Sequence, residues 1–327
     1  MEKRTFGRTG WEVSEMGLGC WQLGGDCWGD IDKGSAHSIL ATAISNGVNF
    51  LDTADVYGSG RSEEFIGEFI KGQSGRIYVA TKLGRMPHVF PDQFTEENLN
   101  GCIDASLARL GLPILDLAQL HCPPTAVLQE GSVFQIMEKL QAEGKTRHWG
   151  VSVESMEEAL LCLEQPGCAS LQIIFNIFRQ KPIDELFAKA KEQQVALIIR
   201  LPLASGLLSG KMEAGKGFAE NDHRNFNCDG QMFNVGETFA GLPYPTGVRL
   251  SKELATILPE NAPMAQSSLR WILDHDAVTT VIPGASSDIQ AEANAKASSL
   301  PPLPPDTHKT LRDFYHDKVR QHIRGPY

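Results

Sequence analysis

Long apolar runs are missing from this chain. No stretch approaches the roughly 20 consecutive apolar residues of a membrane-spanning helix, so no membrane association is expected. The opening Met1-Glu2-Lys3-Arg4-Thr5 leads into polar sequence rather than an apolar core, and no signal peptide is expected. Positive charge is also scarce: 30 Lys and Arg against 40 Asp and Glu leave a net charge of −10, with no Lys/Arg block. A general nucleic-acid binder needs a basic face, so that class is set aside. The seven cysteines (20, 27, 102, 122, 162, 168 and 228) form no CxxC pair and show no zinc-ligand spacing. Odd in number and scattered, they read as buried reduced thiols of a cytoplasmic protein, with no metal centre. Internal repeats and low-complexity tracts are absent too, and no G-x-G-x-x-G follows the first apolar run.

What is present is a regular alternation. Short apolar runs at 15–19, 48–52, 76–82, 116–121, 148–152, 171–175, 196–200 and 279–283 are separated by segments of helical period. Helix ends are readable between them. Ser35 is placed to cap a helix that stops at Gly47. Thr95 opens a segment with Leu99, Ile103, Leu107 and Leu110 on one stripe, ended by Gly111 and Pro113. Ser155-Met156-Glu157-Glu158 reads as a capping box. Ile183, Leu186, Phe187 and Ala190 follow a core-facing helical spacing.

Eight strands with helical connections predict an α/β fold, a (β/α)8 TIM barrel of 327 residues in one domain. Gly7-Arg8-Thr9-Gly10 predicts an N-terminal β-hairpin ahead of the barrel, and residues 306–323 a C-terminal helix laid over it. Residues 212–247 follow strand 7, lack a clear period and are rich in Gly, Asn, Asp and Phe. A loop that long is expected to cover a ligand site. Pro301-Pro302 with Pro304-Pro305 is a stiff connector into the last helix.

Three of the strands end in chemistry. Phe50-Leu51-Asp52-Thr53-Ala54 leads to Tyr57-Gly58, Thr81-Lys82-Leu83-Gly84 closes the next strand, and Leu117-Ala118-Gln119-Leu120-His121 the one after. A barrel presents its reacting groups at the C-terminal ends of such strands. Singly, an Asp there is more often a cap, a Lys a solvated charge and a His a core residue; three in register point to one site. Together with Gly150-Val151-Ser152, Pro202-Leu203-Ala204-Ser205-Gly206-Leu207-Leu208-Ser209-Gly210-Lys211 and Ile282-Pro283-Gly284-Ala285 with Gln290 and Asn294, these motifs resemble the aldo-keto reductases. The resemblance covers nearly the whole chain, in order. It is closer to the bacterial-type branch that includes potassium-channel β-subunits than to the aldose-reductase branch.

The resemblance implies reduction of a small aldehyde, ketone or sugar carbonyl, or the reverse, by NADP(H), with NAD(H) as the second option. Tyr57 would be the general acid, Lys82 the cation favouring its phenolate, and Asp52 the anion orienting Lys82. His121 would donate a hydrogen bond to the substrate oxygen or aid the proton relay. Cofactor contacts are expected from Gly19, Cys20, Trp21, Ser152, Gln172, Arg200, Pro202, Leu203, Ser205, Gly206, Leu208, Gly210 and Lys211, and beyond strand 8 from Gly284, Ser286, Gln290 and Asn294. Trp21, Trp28, Met86, Phe90, Cys122 and Pro123 are placed to wall the substrate pocket.

The chain departs from the family pattern at three places. Ser152 is followed by Val153 where relatives carry Asn, and Arg200 stands where relatives have an aromatic residue. No Lys or Arg stands at 284–290 to pair with a 2′-phosphate, so weakened discrimination between NADP(H) and NAD(H) is expected. Two other functions fit the motifs: a nicotinamide-binding regulatory protein with little turnover, and an isomerase or aldolase using Lys82 as a Schiff base. Nothing in the pattern dictates an oligomeric state.

Overall fold

A computed structural model describes residues 1–25, 28, 31–215 and 217–327; Cys27 lies outside the described residues. Eight parallel strands form one sheet: β3 (Leu18–Gly19), β4 (Phe50–Asp52), β5 (Tyr78–Leu83), β6 (Leu115–His121), β7 (Thr146–Ser152), β8 (Cys168–Ile174), β9 (Ala196–Arg200) and β10 (Thr280–Val281). Each pairs with its neighbours in chain order, and parallel bridges Met16–Val281 and Gly19–Gly284 join the first to the last. The outcome is the expected (β/α)8 barrel. The terminal strands are shorter than the predicted 15–19 and 279–283 because single bridges, not a full ladder, close the ring.

Ahead of it stands the predicted hairpin, β1 (Lys3–Thr5) antiparallel to β2 (Glu12–Ser14). It plugs the N-terminal mouth of the barrel. Phe6 stacks on Phe50 at 5.5 Å and Trp11 on Tyr78 at 4.8 Å. Phe6 and Val13 thereby join Phe50, Ala80, Leu117, Ala196, Ile198 and Ile282 in a buried cluster inside the barrel. A second, larger core lies between the strands and the helices and includes Leu99, Ile103, Leu110, Phe134, Trp149 and Trp271. Burying each such aliphatic or aromatic side chain contributes about 1.5–3 kcal/mol. The C-terminal mouth therefore remains for chemistry.

Several local readings hold and two shift. Thr95 caps the helix Glu96–Leu110, which Gly111 ends in the left-handed conformation, and Ser155 with Glu158 forms the predicted capping box. The helix expected to start at Ser35 begins earlier, at Lys33, because the Asp32 carboxylate accepts from the Ser35 N–H at 2.8 Å. The stripe Ile183–Ala190 is split at Leu186 (φ −120°) into Pro182–Glu185 and Phe187–Glu192. Residues 212–247 are not a bare loop. They carry helical turns at His223–Phe226, Val235–Glu237 and Phe239–Gly241 and the start of the helix Tyr244–Leu254. The last helix, Pro305–Phe314, continues through a wide turn at Tyr315–Val319.

Candidate active site

Strand parity builds the site. Side chains alternate along a strand, so residues two apart share a face. Phe50, Ala80, Leu117 and Ile198 point into the barrel. Two residues further on, the same face carries Asp52, Lys82, Gln119 and Arg200, and His121 follows Gln119 by two more. The apolar floor thus gives way to a polar layer at the C-terminal rim.

Four of the predicted residues meet there. The Lys82 ammonium donates to Asp52 Oδ1 at 2.5 Å, to the Thr53 carbonyl at 2.8 Å and to the Tyr57 hydroxyl at 3.2 Å. The His121 ring stands edge-on to the Tyr57 ring, 5.9 Å between centroids. Trp21 stacks on Tyr57 at 5.8 Å and contacts Trp28 at 5.7 Å. Asp52 Oδ2 accepts from the amides of Gln119 at 3.0 Å and Gln172 at 2.7 Å. Gln172, expected to reach a cofactor, is turned inward at this amide group. Gln119 was missed by sequence reasoning, although its inward parity two residues before His121 marked it.

Burial sets the electrostatics. It pushes the Tyr57 phenol up to about 12; Lys82 pulls it down, but Asp52 beside Lys82 raises it again. Lys82 thus favours the phenolate through both its charge and its hydrogen bond, while burial outweighs it. Burial works against the Lys82 cation as well, yet Asp52 and Tyr57 hold it above the usual lysine range. His121 is held well below the usual histidine range by burial and by the cations Arg85, Lys82 and Arg200. A neutral imidazole follows.

A second charged cluster lies beside His121. Arg85 pairs with Glu154 at 2.8 Å, and Arg200 with Glu237 at 3.2 Å. Arg200 also donates to the Val153 carbonyl at 3.1 Å and contacts Cys122 Sγ at 3.6 Å, whose thiol points to the Ser152 hydroxyl. Asn234 donates to Glu154 at 3.0 Å, and the Ser205 hydroxyl links the Glu237 carbonyl to the Phe239 N–H. Residues 233–239 are thereby docked on the rim, with Phe233 and His223 against Trp21. Ligand atoms of Cys122, Glu154 and Glu237 lie within 4.8 Å of one another, but both carboxylates are already neutralised by guanidinium groups. Arg85, Glu154, Asn234 and Glu237 carried no signal in the sequence. Among the expected wall residues, Cys122 is buried here, whereas Phe90 is 37% exposed under the Arg85 guanidinium.

The remaining predicted residues form two backbone-rich patches. Beyond β9, Pro202 and Leu203 lead into the turn Ala204–Ser209, in which Gly206 (φ +98°) takes a left-handed conformation. Leu208 is buried, Gly210 closes the turn, and Lys211 stands exposed beyond it. Beyond β10, Ser286 donates through its N–H and hydroxyl to Gln290, and Asn294 donates to the Gly284 carbonyl at 3.1 Å. The first strand approaches this patch: Gly19 bridges Gly284, and a Cβ at Gly19 would lie 2.7 Å from the Ile282 carbonyl. Cys20, one residue on, is buried with its N–H on the Asp52 carbonyl.

Comparison with known proteins agrees with this architecture. The chain is 29% identical over 318 residues to an uncharacterised oxidoreductase, YqkF, of Bacillus subtilis, covering 95% of this chain and 96% of that one. It is 28% identical over 343 residues to a probable voltage-gated potassium channel subunit beta of Arabidopsis thaliana, covering 99% and 97%. Among solved structures, the holo form of an aldo-keto reductase from Bacillus halodurans superposes with a TM-score of 0.78 at 28% identity, covering 96% of each chain. The model of the Aldo/keto reductase family matches residues 15–316, and with these rim residues on this barrel the chain belongs to that family.

Proposed function

We propose that this protein is an NADP(H)-dependent oxidoreductase that reduces the carbonyl of a small aldehyde, ketone or sugar, or runs the reverse reaction. The observation that carries the reading is the 3.2 Å hydrogen bond from Lys82 to the Tyr57 hydroxyl, with Asp52 behind it and the His121 ring alongside.

The chain's own groups divide the work. Tyr57, its phenol pushed up to about 12, keeps its proton at neutral pH and is the group that delivers it to the developing alkoxide. Lys82 stabilises the phenolate left behind, and Asp52, Gln119 and Gln172 keep that ammonium in place. His121, being neutral, donates a hydrogen bond to the substrate oxygen rather than a proton. The same charge state argues against a Schiff-base enzyme, because Lys82 is held as an ammonium and has no lone pair to offer.

The residues fit a nicotinamide dinucleotide, which when bound supplies or accepts the hydride. The glycines at 206, 210 and 284 and the hydroxyl of Ser286 offer backbone and small polar groups to phosphates at the loops after β9 and β10, the usual phosphate location in such barrels, while the Ser205 hydroxyl is engaged within its loop by Glu237 and Phe239. Trp21, Ser152 and Arg200 line the rim beside Tyr57 and His121 and would hold the ring end. No Lys or Arg occupies 284–290, and Asp288 opens the following helix with its carboxylate on the Ser38 hydroxyl. That supports NADP(H) use with less than about a thousandfold preference over NAD(H), since charge-assisted pairing to a 2′-phosphate is missing.

A spectrophotometric screen of NADPH and NADH oxidation over aldehydes, ketones and sugars tests this reading. Turnover with at least one carbonyl class supports it, as does a loss of about a hundredfold or more in Tyr57→Phe. Tight nicotinamide binding without turnover on any of them would instead favour a regulatory protein, the alternative raised by similarity to channel β-subunits.

A further inference from the structure

Behind the catalytic turn lies a carboxyl group that the mechanism above does not use. Asp55 sits between Thr53, whose carbonyl accepts from Lys82, and Tyr57, whose N–H closes the turn on the Ala54 carbonyl. Its own N–H bonds the Lys82 carbonyl at 3.2 Å. The side chain is 2% exposed, and neither oxygen has a well-formed hydrogen bond among the described residues; the Val56 N–H and the Cys102 thiol face it only loosely.

The charges around it do not balance. The helix Arg61–Ile70 brings Glu63, and the helix Glu96–Leu110 brings Arg109 and Cys102. Glu63 takes the Arg109 Nε at 2.6 Å and also accepts from the Thr81 hydroxyl, so that cation is already engaged. Lys82, on β5, is engaged by Asp52. Two carboxyl groups thus share one guanidinium. An unpaired buried carboxylate is costly, so the excess charge is relieved by a proton.

We propose that Asp55 is a positioning residue, resting as the neutral acid under the Tyr57 turn and, on ionising, weakening proton donation by Tyr57. The inference rests on the reading of Tyr57 as the acid. Burial, and then the Glu63 charge, push the Asp55 carboxyl up to about 7, against the pull of Arg109 and Lys82. As pH rises through that value the proton leaves to solvent and a negative charge appears within electrostatic reach of Lys82. That charge offsets the ammonium further and makes the phenol a poorer donor, so carbonyl reduction slows as pH rises.

The test is the pH profile of kcat for carbonyl reduction with saturating NADPH, in the wild type, Asp55→Asn and Tyr57→Phe. Wild type is expected to lose roughly fivefold across the limb centred near neutrality. Asp55→Asn, which fixes the uncharged state, is expected to keep the low-pH rate and lose the limb. A limb that survives in Asp55→Asn, while Tyr57→Phe is inactive, overturns the inference alone; a fully active Tyr57→Phe overturns the reading it rests on. NMR of 13Cγ-aspartate in the wild-type protein supplies a readout independent of turnover and of the variant's folding. An aspartate carboxyl titrating between about 6 and 8 supports the proposal, and all of them titrating below about 5 overturns it.

Discussion

Two charged networks meet at the same rim and are built differently. Asp52, Lys82, Gln119 and Gln172 come from four strands of one ladder and are buried inside the barrel. Arg85, Glu154, Arg200 and Glu237 join strand ends to a docked loop, and their pairs keep partial contact with solvent. The first is rigid by construction, since its geometry is that of the sheet. The second depends on a long segment choosing to sit down. The difference teaches that the proposed reacting groups are held by the sheet itself, whereas the second network depends on residues 233–239 being docked on the rim.

Removing Lys82 should separate the two networks most sharply. Lys82→Met leaves the Asp52 carboxylate 2% exposed with amide donors only. Loss of one partner of a buried pair costs about 3–5 kcal/mol, read by urea unfolding. The double variant Asp52→Leu/Lys82→Met should recover much of that loss; equal instability in both would mean the pair is not what the interior senses.

Asp55 makes the next largest prediction, and its sign is set by linkage. Its folded-state value, about 7 against an ordinary 3.8, is raised, so the native state binds the proton more tightly. The contribution to stability is fully present below about 4 and is lost as pH rises through about 7, by on the order of 4 kcal/mol in total. Asp55→Asn should therefore gain stability relative to wild type as pH increases from 4 to 8. A difference that does not change with pH would contradict it.

Much of the first network was legible because strand ends and parity are local. Asp52, Tyr57, Lys82 and His121 stood out at the ends of apolar runs, and Gln119 needed only the two-residue step from His121. The second network was not legible. Glu237 reaches Arg200 across 37 positions of chain without a period, and Asn234 reaches Glu154 across 80. Local competition hid smaller points: Asp32 and Ser35 are both good caps, three residues apart, and only the fold decides which carboxylate or hydroxyl is used. Likewise the helical stripe at 183–190 kept Leu186, Phe187 and Ala190 buried while the backbone broke at Leu186.

Glu237→Gln sharpens the comparison from the loop side. Weakening the Arg200 pair should cost about 1–3 kcal/mol locally. Hydrogen exchange should accelerate at residues 233–239 and stay unchanged in β5 and β6; uniform acceleration would show that the loop and barrel open together. The smallest effect belongs to a site remote from both networks. Ser155→Ala removes the capping box of the helix Met156–Leu163 and should lower stability by about 1 kcal/mol without altering turnover.

The most direct test of the central claim is a single-turnover measurement of NADPH oxidation by Tyr57→Phe, alongside its NADPH Kd. A fall of about a hundredfold or more in the rate with an unchanged Kd is the result predicted for a phenol that delivers the proton. A rate equal to that of the wild-type protein would contradict it.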